Sequence, residues 1–363
     1  MRLGFEARAE PSRLMSFASP IIAVALTLVV GLIVFTIHGE DPLVAFYTFF
    51  ISPIDNLYGL SELLIKASPL VLIAIGLAVG FRANVWNIGA EGQLTIGAIV
   101  SGGIAIHFYE SQSHLLLPVM IVGGALGGML WAGIPALLRT RFNANEILVS
   151  LMLAYVAQML LSYLIYGPWR DPEGFNFPQS RPFTEPAMFS IMIEGTRLNT
   201  SVLITLVAVA VGWIFMKRSY VGYQMLVAGL ADRAARYAGF SNSRTIWIGM
   251  LAGGAAAGLA GVGEVAGPLG QMFPTASPGY GFAAIIVAFL GRLNPIGIVL
   301  AGLLMSLLYL SGEAAQMSLN LPSSTTAVFQ GLLLSFLLST DVLIKYRIRM
   351  FFGSRNRPEE VVS

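Results

Sequence analysis

Stretches of about twenty residues with few or no charged side chains recur along this chain, and they decide which solvent it folds in. Lipid offers no partner for backbone N–H and C=O groups, so a segment that crosses it must satisfy them internally, as a helix does. Phe17 to Ile37 is the first such run; it is longer than the apolar part of a signal peptide, follows Arg2, Arg8 and Arg13, and reads as a retained anchor rather than a cleaved leader. Others lie at Leu63 to Phe81, Ile88 to Phe108, Leu115 to Leu138, Ile147 to Tyr166, Val202 to Met216 and Ile246 to Pro268. A short piece, Tyr280 to Leu290, precedes Arg292-Leu293-Asn294-Pro295, and Ile296 to Leu310 and Val328 to Ile344 close the series. Only 11% of the 363 residues are charged, against about a quarter in a soluble domain, so a water-exposed surface of this size cannot be furnished. The expected fold is all-α: a polytopic integral membrane protein with about ten transmembrane helices, short or broken ones among them, in a single transmembrane domain over residues 1–363.

An even number of crossings returns both termini to one side, and the basic residues say which. Cytoplasmic loops collect Lys and Arg. With the N-terminus inside, only Arg170, Arg181 and Arg197 of the 21 Lys and Arg fall outside and Lys66 lies within a span; all others are cytoplasmic. Miscounting a span would flip later loops and spoil this segregation. The weak point is Tyr280 to Leu290, where a re-entrant hairpin would change the side that Arg292 faces. Residues 167–199 are then an external loop rich in Pro, acids and aromatics, with a short amphipathic piece expected near Ala187 to Ile193. Residues 217–244 form the one internal loop large enough for docking, expected to be helical from about Gly222 to Tyr237, and residues 345–363 form a basic cytoplasmic tail. The net charge of +2 matters less for nucleic acid, which is not an expected partner, than for this sidedness.

The inventory of reactive groups is poor. There is no cysteine, hence no disulfide framework, thiol nucleophile or Cys-based metal site. His38, His107 and His114 stand near external span ends, no two at ligand spacing, and no H-E-x-x-H, G-x-S-x-G or S-x-x-K pattern occurs. No catalytic residue and no metal site is expected. A phosphate-binding G-x-x-x-x-G-K-[ST] loop needs Gly-Lys, yet Lys66, Lys217 and Lys345 follow Ile65, Met216 and Ile344, so ATP is not hydrolysed by that route.

Glycines at Gly123, Gly124, Gly127 and Gly128, and at Gly249, Gly253, Gly254, Gly258 and Gly261, give small-xxx-small spacing that lets helix backbones approach, as tight packing or as surfaces that slide. Ionisable groups within spans are functional suspects. Glu62 and Lys66, four apart on one helix face, are expected to neutralise each other, with substrate contact the alternative. Glu146 follows Asn143 at capping-box spacing. Glu264 lies in a Gly-rich stretch where a broken helix would expose backbone to a cavity, and Asp341 is near enough to the basic tail to pair with it. The richest cluster is Arg82-Ala83-Asn84-Val85-Trp86-Asn87-Ile88-Gly89-Ala90-Glu91-Gly92-Gln93, a helix start or break whose polar side chains either line a path or bind a neighbouring helix.

At this cluster the chain resembles the permease subunits of bacterial ABC importers for nucleosides and simple sugars, related to the ribose and branched-chain amino-acid permeases. Asn84 to Gln93, Asn145-Glu146-Ile147-Leu148-Val149-Ser150-Leu151-Met152-Leu153, Ala234-Ala235-Arg236-Tyr237-Ala238-Gly239 and Gly291-Arg292-Leu293-Asn294-Pro295 carry the resemblance, in that order. The Asn-Ile-Gly-Ala-Glu-Gly-Gln form is most similar to the larger permease of nucleoside systems. The resemblance implies a bacterial inner (plasma) membrane location and a non-enzymatic subunit. Its implied partners are a second permease, ATP-binding ATPase subunits that hold ATP and Mg, an external substrate-binding protein or lipoprotein, and membrane lipid. No cofactor is implied on this chain. Within Gly222 to Gly239, similar to an ATPase-docking coupling helix, the candidates are Gly222, Asp232, Arg233, Arg236, Tyr237 and Gly239; Gly229-Leu230-Ala231-Asp232 departs from the Gly-x-Asn-Pro-like stretch of relatives. Trp86, Asn87, Glu91 and Gln93 are the candidate substrate path, where a π-face stacks on a heterocycle and amides meet its polar edges. The alternative is an ion-coupled secondary transporter of a small polar solute, which Glu91 and Glu264 keep open.

Overall fold

The computed structural model describes residues 2–8, 12–37, 41–318 and 324–351. Two compact units emerge. One holds the chain ends: β1 (Arg2–Ala7), α1 (Arg13–Ile37), α13 (Ser324–Lys345) and β2 (Tyr346–Phe351). In it β1 and β2 pair antiparallel, Arg2 against Phe351 through to Ala7 against Tyr346, which is compatible with an even number of crossings between them. The helices pack through the buried Phe329 ring beside Gly31 and Phe35, and Ser19 Oγ, 2.8 Å from Thr340 Oγ1, donates to Asp341 at 2.5 Å. Asp341, expected to meet the basic tail, thus takes a hydroxyl of α1. α2 (Pro42–Phe50) leads from this unit.

The other unit runs from Tyr47 to α12 (Pro295–Ser318). Its central helices are α3 (Leu57–Arg82) and α10 (Asn242–Glu264); α4 (Ala90–His107), α5 (Leu116–Phe142), α6 (Glu146–Tyr166) and α7 (Ser201–Arg218) surround them. Most of α3 is buried, whereas α6 and α7 expose apolar side chains such as Met159 and Val207, the pattern of a lipid-facing perimeter around a protein-packed centre. Side chains cap the starts: Asn56 accepts from Gly59 N–H (2.7 Å), Asn145 from Ile147 (2.9 Å) and Ser241 from Arg244 (3.3 Å). Asn143 instead ends α5 in the left-handed region (φ 54°), and Glu146 pairs with Arg139 at 3.3 Å, so the predicted cap of α6 moves from Asn143 to Asn145. Glycines let the centre close. A Cβ at Gly128 would strike the backbone of Gly254 and Gly258, and one at Gly97 the backbone of Gly258, so the Gly-rich stripes serve tight packing of α4 and α5 on α10.

Helices cover all ten predicted runs; eight of them are long and apolar enough to span, while α4 has 18 residues and falls outside that set, and the run at Tyr280 to Leu290 is a helix of 11 residues. After α10 the helix loosens into a π-type turn, Val265–Leu269, with Gly267 at φ −106°, ψ −106°. The chain then runs on without helix or strand, bending repeatedly, with Met272 against Gly102 of α4 and Ser277 hydrogen-bonded to Glu91, before α11 (Tyr280–Leu290) begins. The helix rise from Glu91 to Gly102 is ~16 Å, so this non-helical segment and α11 follow one another beside α4, and α12 then packs against α11.

Residues 167–199 are folded onto the broken end of α10. Phe189 N–H donates to Ala266 C=O (2.9 Å), Phe183 N–H to Gly270 C=O (2.7 Å), and Ser180, fully buried, exchanges hydrogen bonds with Met272. Carbonyls released by the break are thereby satisfied, as a membrane interior requires. The amphipathic piece expected near Ala187 to Ile193 is not a helix: a 3₁₀ turn at Glu185–Ala187 gives way to chain bridged from Ile191 to Asn199, because those backbone groups are committed to α10 and to each other.

Candidate functional site

α3 stops at Arg82. Asn84 adopts φ 57°, a conformation that Asn tolerates better than most residues, and the chain folds back with Val85 N–H on Gly80 C=O at 3.0 Å. Asn84 also accepts from the Trp86 indole N–H at 2.9 Å. The indole lies against Phe81 (centroids 5.3 Å) and stacks on Phe289 of α11 (5.7 Å, 20° between planes). Asn87 and Gln93 form a closed pair: Asn87 Nδ2–H donates to Gln93 Oε1 (2.8 Å) and Gln93 Nε2–H to Asn87 Oδ1 (2.9 Å). Asn87 Oδ1 also accepts from Gly89 N–H, and both side chains are buried, Asn87 beside Gly253 of α10. Glu91 accepts from Ser277 Oγ (2.9 Å) and from Gly281 N–H (2.7 Å), so it neutralises the start of α11, where unpaired N–H groups and the helix dipole favour an anion. Gly281 is seated directly on the Glu91 backbone.

The four predicted path residues thus diverge. Trp86 faces α11's far end, Asn87 and Gln93 face α10, and Glu91 faces α11's start. Ser277, Gly281 and Phe289 complete the cluster and were not singled out from sequence; Ser277-Pro278-Gly279 ahead of a short apolar run was the available sign of a capped helix start.

At the same end of the bundle lies the 217–244 segment. Ser219 caps α8 (Tyr220–Leu230), accepting from Gly222 N–H at 2.8 Å, and Gly222 sits too close to Phe215 C=O to admit a side chain. The predicted single helix is two: Ala231 (φ −151°, ψ 76°) separates α8 from α9 (Asp232–Tyr237), where Asp232 pairs with Arg236 at 2.7 Å and Gly239 (φ 81°) ends the turn. Arg233 and Arg236 are exposed and Tyr237 is 98% so, while Ala235 is buried. Gly229 is pressed against the Arg82 carbonyl and Ala83, and Arg82 donates to Met216 C=O at 3.0 Å. The segment therefore rests on the turn that carries Trp86.

Charges inside the unit pair across elements. Glu62 receives both Nε–H (2.9 Å) and Nη2–H of Arg197, and Lys66 meets Glu313 of α12 at 2.8 Å. The expected Glu62–Lys66 neutralisation is overturned because a guanidinium offers a carboxylate two parallel donors where an ammonium offers a point charge. Glu62 in turn holds Arg197, outside the spans, still further toward its charged form. Glu264 lines a small cavity with Ser68, Ser201 and Pro268 and makes no hydrogen bond among the described residues. No group of three or more His, Asp and Glu converges as a metal site among the described residues; His38 lies outside them.

The profile of the branched-chain amino acid transport system / permease component family matches residues 59–338. The chain belongs to that family. It is a multi-pass membrane permease component of the inner membrane, in a family of subunits that are not themselves catalytic. The permease is 33% identical over 351 residues to the glucose ABC transporter permease protein TsgB13 of Haloferax volcanii, covering 94% of this chain and 92% of that one. Identity is 28% over 344 residues to the guanosine ABC transporter permease protein NupP of Bacillus subtilis (94% and 97% covered). It is 29% over 297 residues to the nucleoside ABC transporter permease protein NupB of Lactococcus lactis (80% and 82%).

Proposed function

We propose that this permease is one of two membrane subunits of an ABC importer that takes up nucleosides or simple sugars. A substrate-binding protein or lipoprotein delivers the solute outside, and separate ATPase subunits that bind ATP and Mg drive the cycle inside. The observation that carries this reading is the seating of Gly229 on Arg82 and Ala83. It links an exposed segment bearing Arg233, Arg236 and Tyr237 to the turn bearing Trp86, so a push on α8 and α9 reaches α11 through the backbone at Arg82 and Ala83 and the stacked rings of Trp86 and Phe289. Residues 217–244 act as the cytoplasmic coupling segment, with Gly222, Asp232 and Gly239 shaping it, and 345–363 as the cytoplasmic tail. Residues 167–199 face outside; Phe175, 93% exposed, and Phe177 offer apolar anchors beside Arg170 and Glu173 to a docking protein. Trp86, Asn87, Glu91 and Gln93 bound the solute path, Trp86 and Glu91 by holding α11 and the Asn87–Gln93 pair by bracing the turn beside α10. Relatives named for glucose, guanosine and nucleosides support a sugar-ring-bearing solute. Arg233→Glu and Arg236→Glu are expected to lower solute-stimulated ATP hydrolysis of the complex at least several-fold; full coupling in both variants would refute the docking assignment.

One observation favours the second reading, an ion-coupled carrier: the buried carboxylate of Glu264 without a hydrogen bond. Uptake by this chain alone, in vesicles under an ion gradient and without ATPase, would decide for it.

A further inference from the structure

Three features meet on one face of the Tyr47–α12 unit. The first is the non-helical segment 273–279, which exposes Thr275 and Pro278. The second is the outward side of α11, with Phe282 exposed. The third is the end of α12, where Tyr309 donates to Pro278 C=O (3.4 Å), packs edge-on to Tyr280 (5.3 Å) and precedes Glu313 by one turn. Glu313 pairs with Lys66, yet its side chain is 52% exposed.

Lipid tolerates neither non-helical backbone nor a half-exposed carboxylate. Depth makes the point firm. α3, with 26 residues, is ~39 Å long against a hydrocarbon core of about 30 Å, and Lys66 lies ~13 Å from its first residue. Even if the whole excess projected beyond Leu57, Lys66 would remain inside the hydrocarbon layer. The face must border water or be covered by protein.

We infer that this face borders the water-filled solute path, and that Lys66, Glu313 and Tyr309 with the adjoining backbone of 275–278 form a halting point for an uncharged solute bearing a sugar-ring diol. This rests on the transport reading above. The ion pair carries no net charge and supplies a strong donor and a strong acceptor side by side, the two roles that vicinal hydroxyls need. Glu62, Glu264 and Glu313 stand against Lys66 and Arg197, so the neighbourhood has no surplus cation with which to hold an anionic solute. Tyr309, backed by the buried Tyr280, adds an apolar edge for the ring.

Because the chain has no cysteine, Thr275→Cys and Phe282→Cys can be probed with a small charged methanethiosulfonate in membranes holding the complete transporter. Met159→Cys and Val207→Cys, on the apolar exposed faces of α6 and α7, are the references. The face cysteines are expected to react at least tenfold faster than the references. Equal, slow reaction means the face is dry against a partner subunit and overturns the inference. A ribonucleoside or free glucose should slow the reaction of Thr275→Cys, with the effective one of the two identifying the source of the diol. The matching 2′,3′-dideoxynucleoside should not slow it, and adding Glu313→Gln should abolish protection. Protection by the dideoxy compound, by none of the three, or undiminished in Glu313→Gln overturns the halting point. ATP-dependent uptake by the cysteine-free parent is measured in the same membranes; its absence counts against the importer reading, while the labelling contrast still judges this one.

Discussion

Asn87 and Gln93 use their amides on each other, and that closure makes them sensitive as a pair. In a packed interior an amide that loses its partner keeps the full cost of desolvation, about 1–3 kcal/mol, whereas removing both partners costs less. Asn87→Leu or Gln93→Leu should each lower the melting temperature of the detergent-purified complex by several degrees, and the double variant should lose less than the sum of the singles. Additive losses would show that the two side chains act independently. Glu91 follows a different logic, since it holds the start of α11 by charge. Glu91→Gln retains an acceptor for Ser277 and Gly281 and should keep assembly while uptake falls several-fold; unchanged uptake would confine Glu91 to packing.

At the scale of elements, the close approach of α5 and α10 leaves no room for side chains at Gly128 and Gly258. Gly258→Val should reduce the yield of folded protein sharply, as overpacking costs about 1–3 kcal/mol or more, measured as monodisperse protein after detergent extraction. Gly229→Val is expected to act elsewhere: it separates α8 from Arg82, so ATPase subunits should still co-purify while solute no longer stimulates hydrolysis. Loss of co-purification instead would place Gly229 in the docking surface itself. The ten helical runs and the small-residue seams were legible in sequence because they follow from composition and spacing, which lipid constrains directly. The partners of Glu62 and Lys66 were not, since a helical wheel places them together but is blind to Arg197 and α12. Asn143 and Asn145 both offer cap chemistry within three residues of Glu146, and only the left-handed turn at Asn143 decides between them. The irregular run before α11 has no periodicity to read, so its place beside α4 was not legible, whereas the short helix at Tyr280 to Leu290 was. Ala231 carries no breaker signal of its own, so the α8–α9 break was not legible.

For the molecule as a whole, the sidedness inferred from basic residues is open to a direct test. Ser180, a natural choice within 167–199, is fully buried, so Ser190 is the better position, with Ser243 as its counterpart near the start of α10. An impermeant thiol reagent applied to intact cells should label Ser190→Cys and spare Ser243→Cys until lysis; the reverse would invert the topology. The pairing of α1 with α13 and of β1 with β2 also has a consequence in time. α1 leaves the ribosome well before α13, and at about 5–20 residues per second the interval over the nearly 300 residues between them is roughly fifteen seconds to a minute. Through that interval Ser19 and the Phe35 pocket wait for Thr340, Asp341 and Phe329. A chain that stalls before α13 therefore leaves Ser19 and Phe35 without the hydroxyl, carboxylate and ring that meet them, so the folding of this pair waits on translation of its second member.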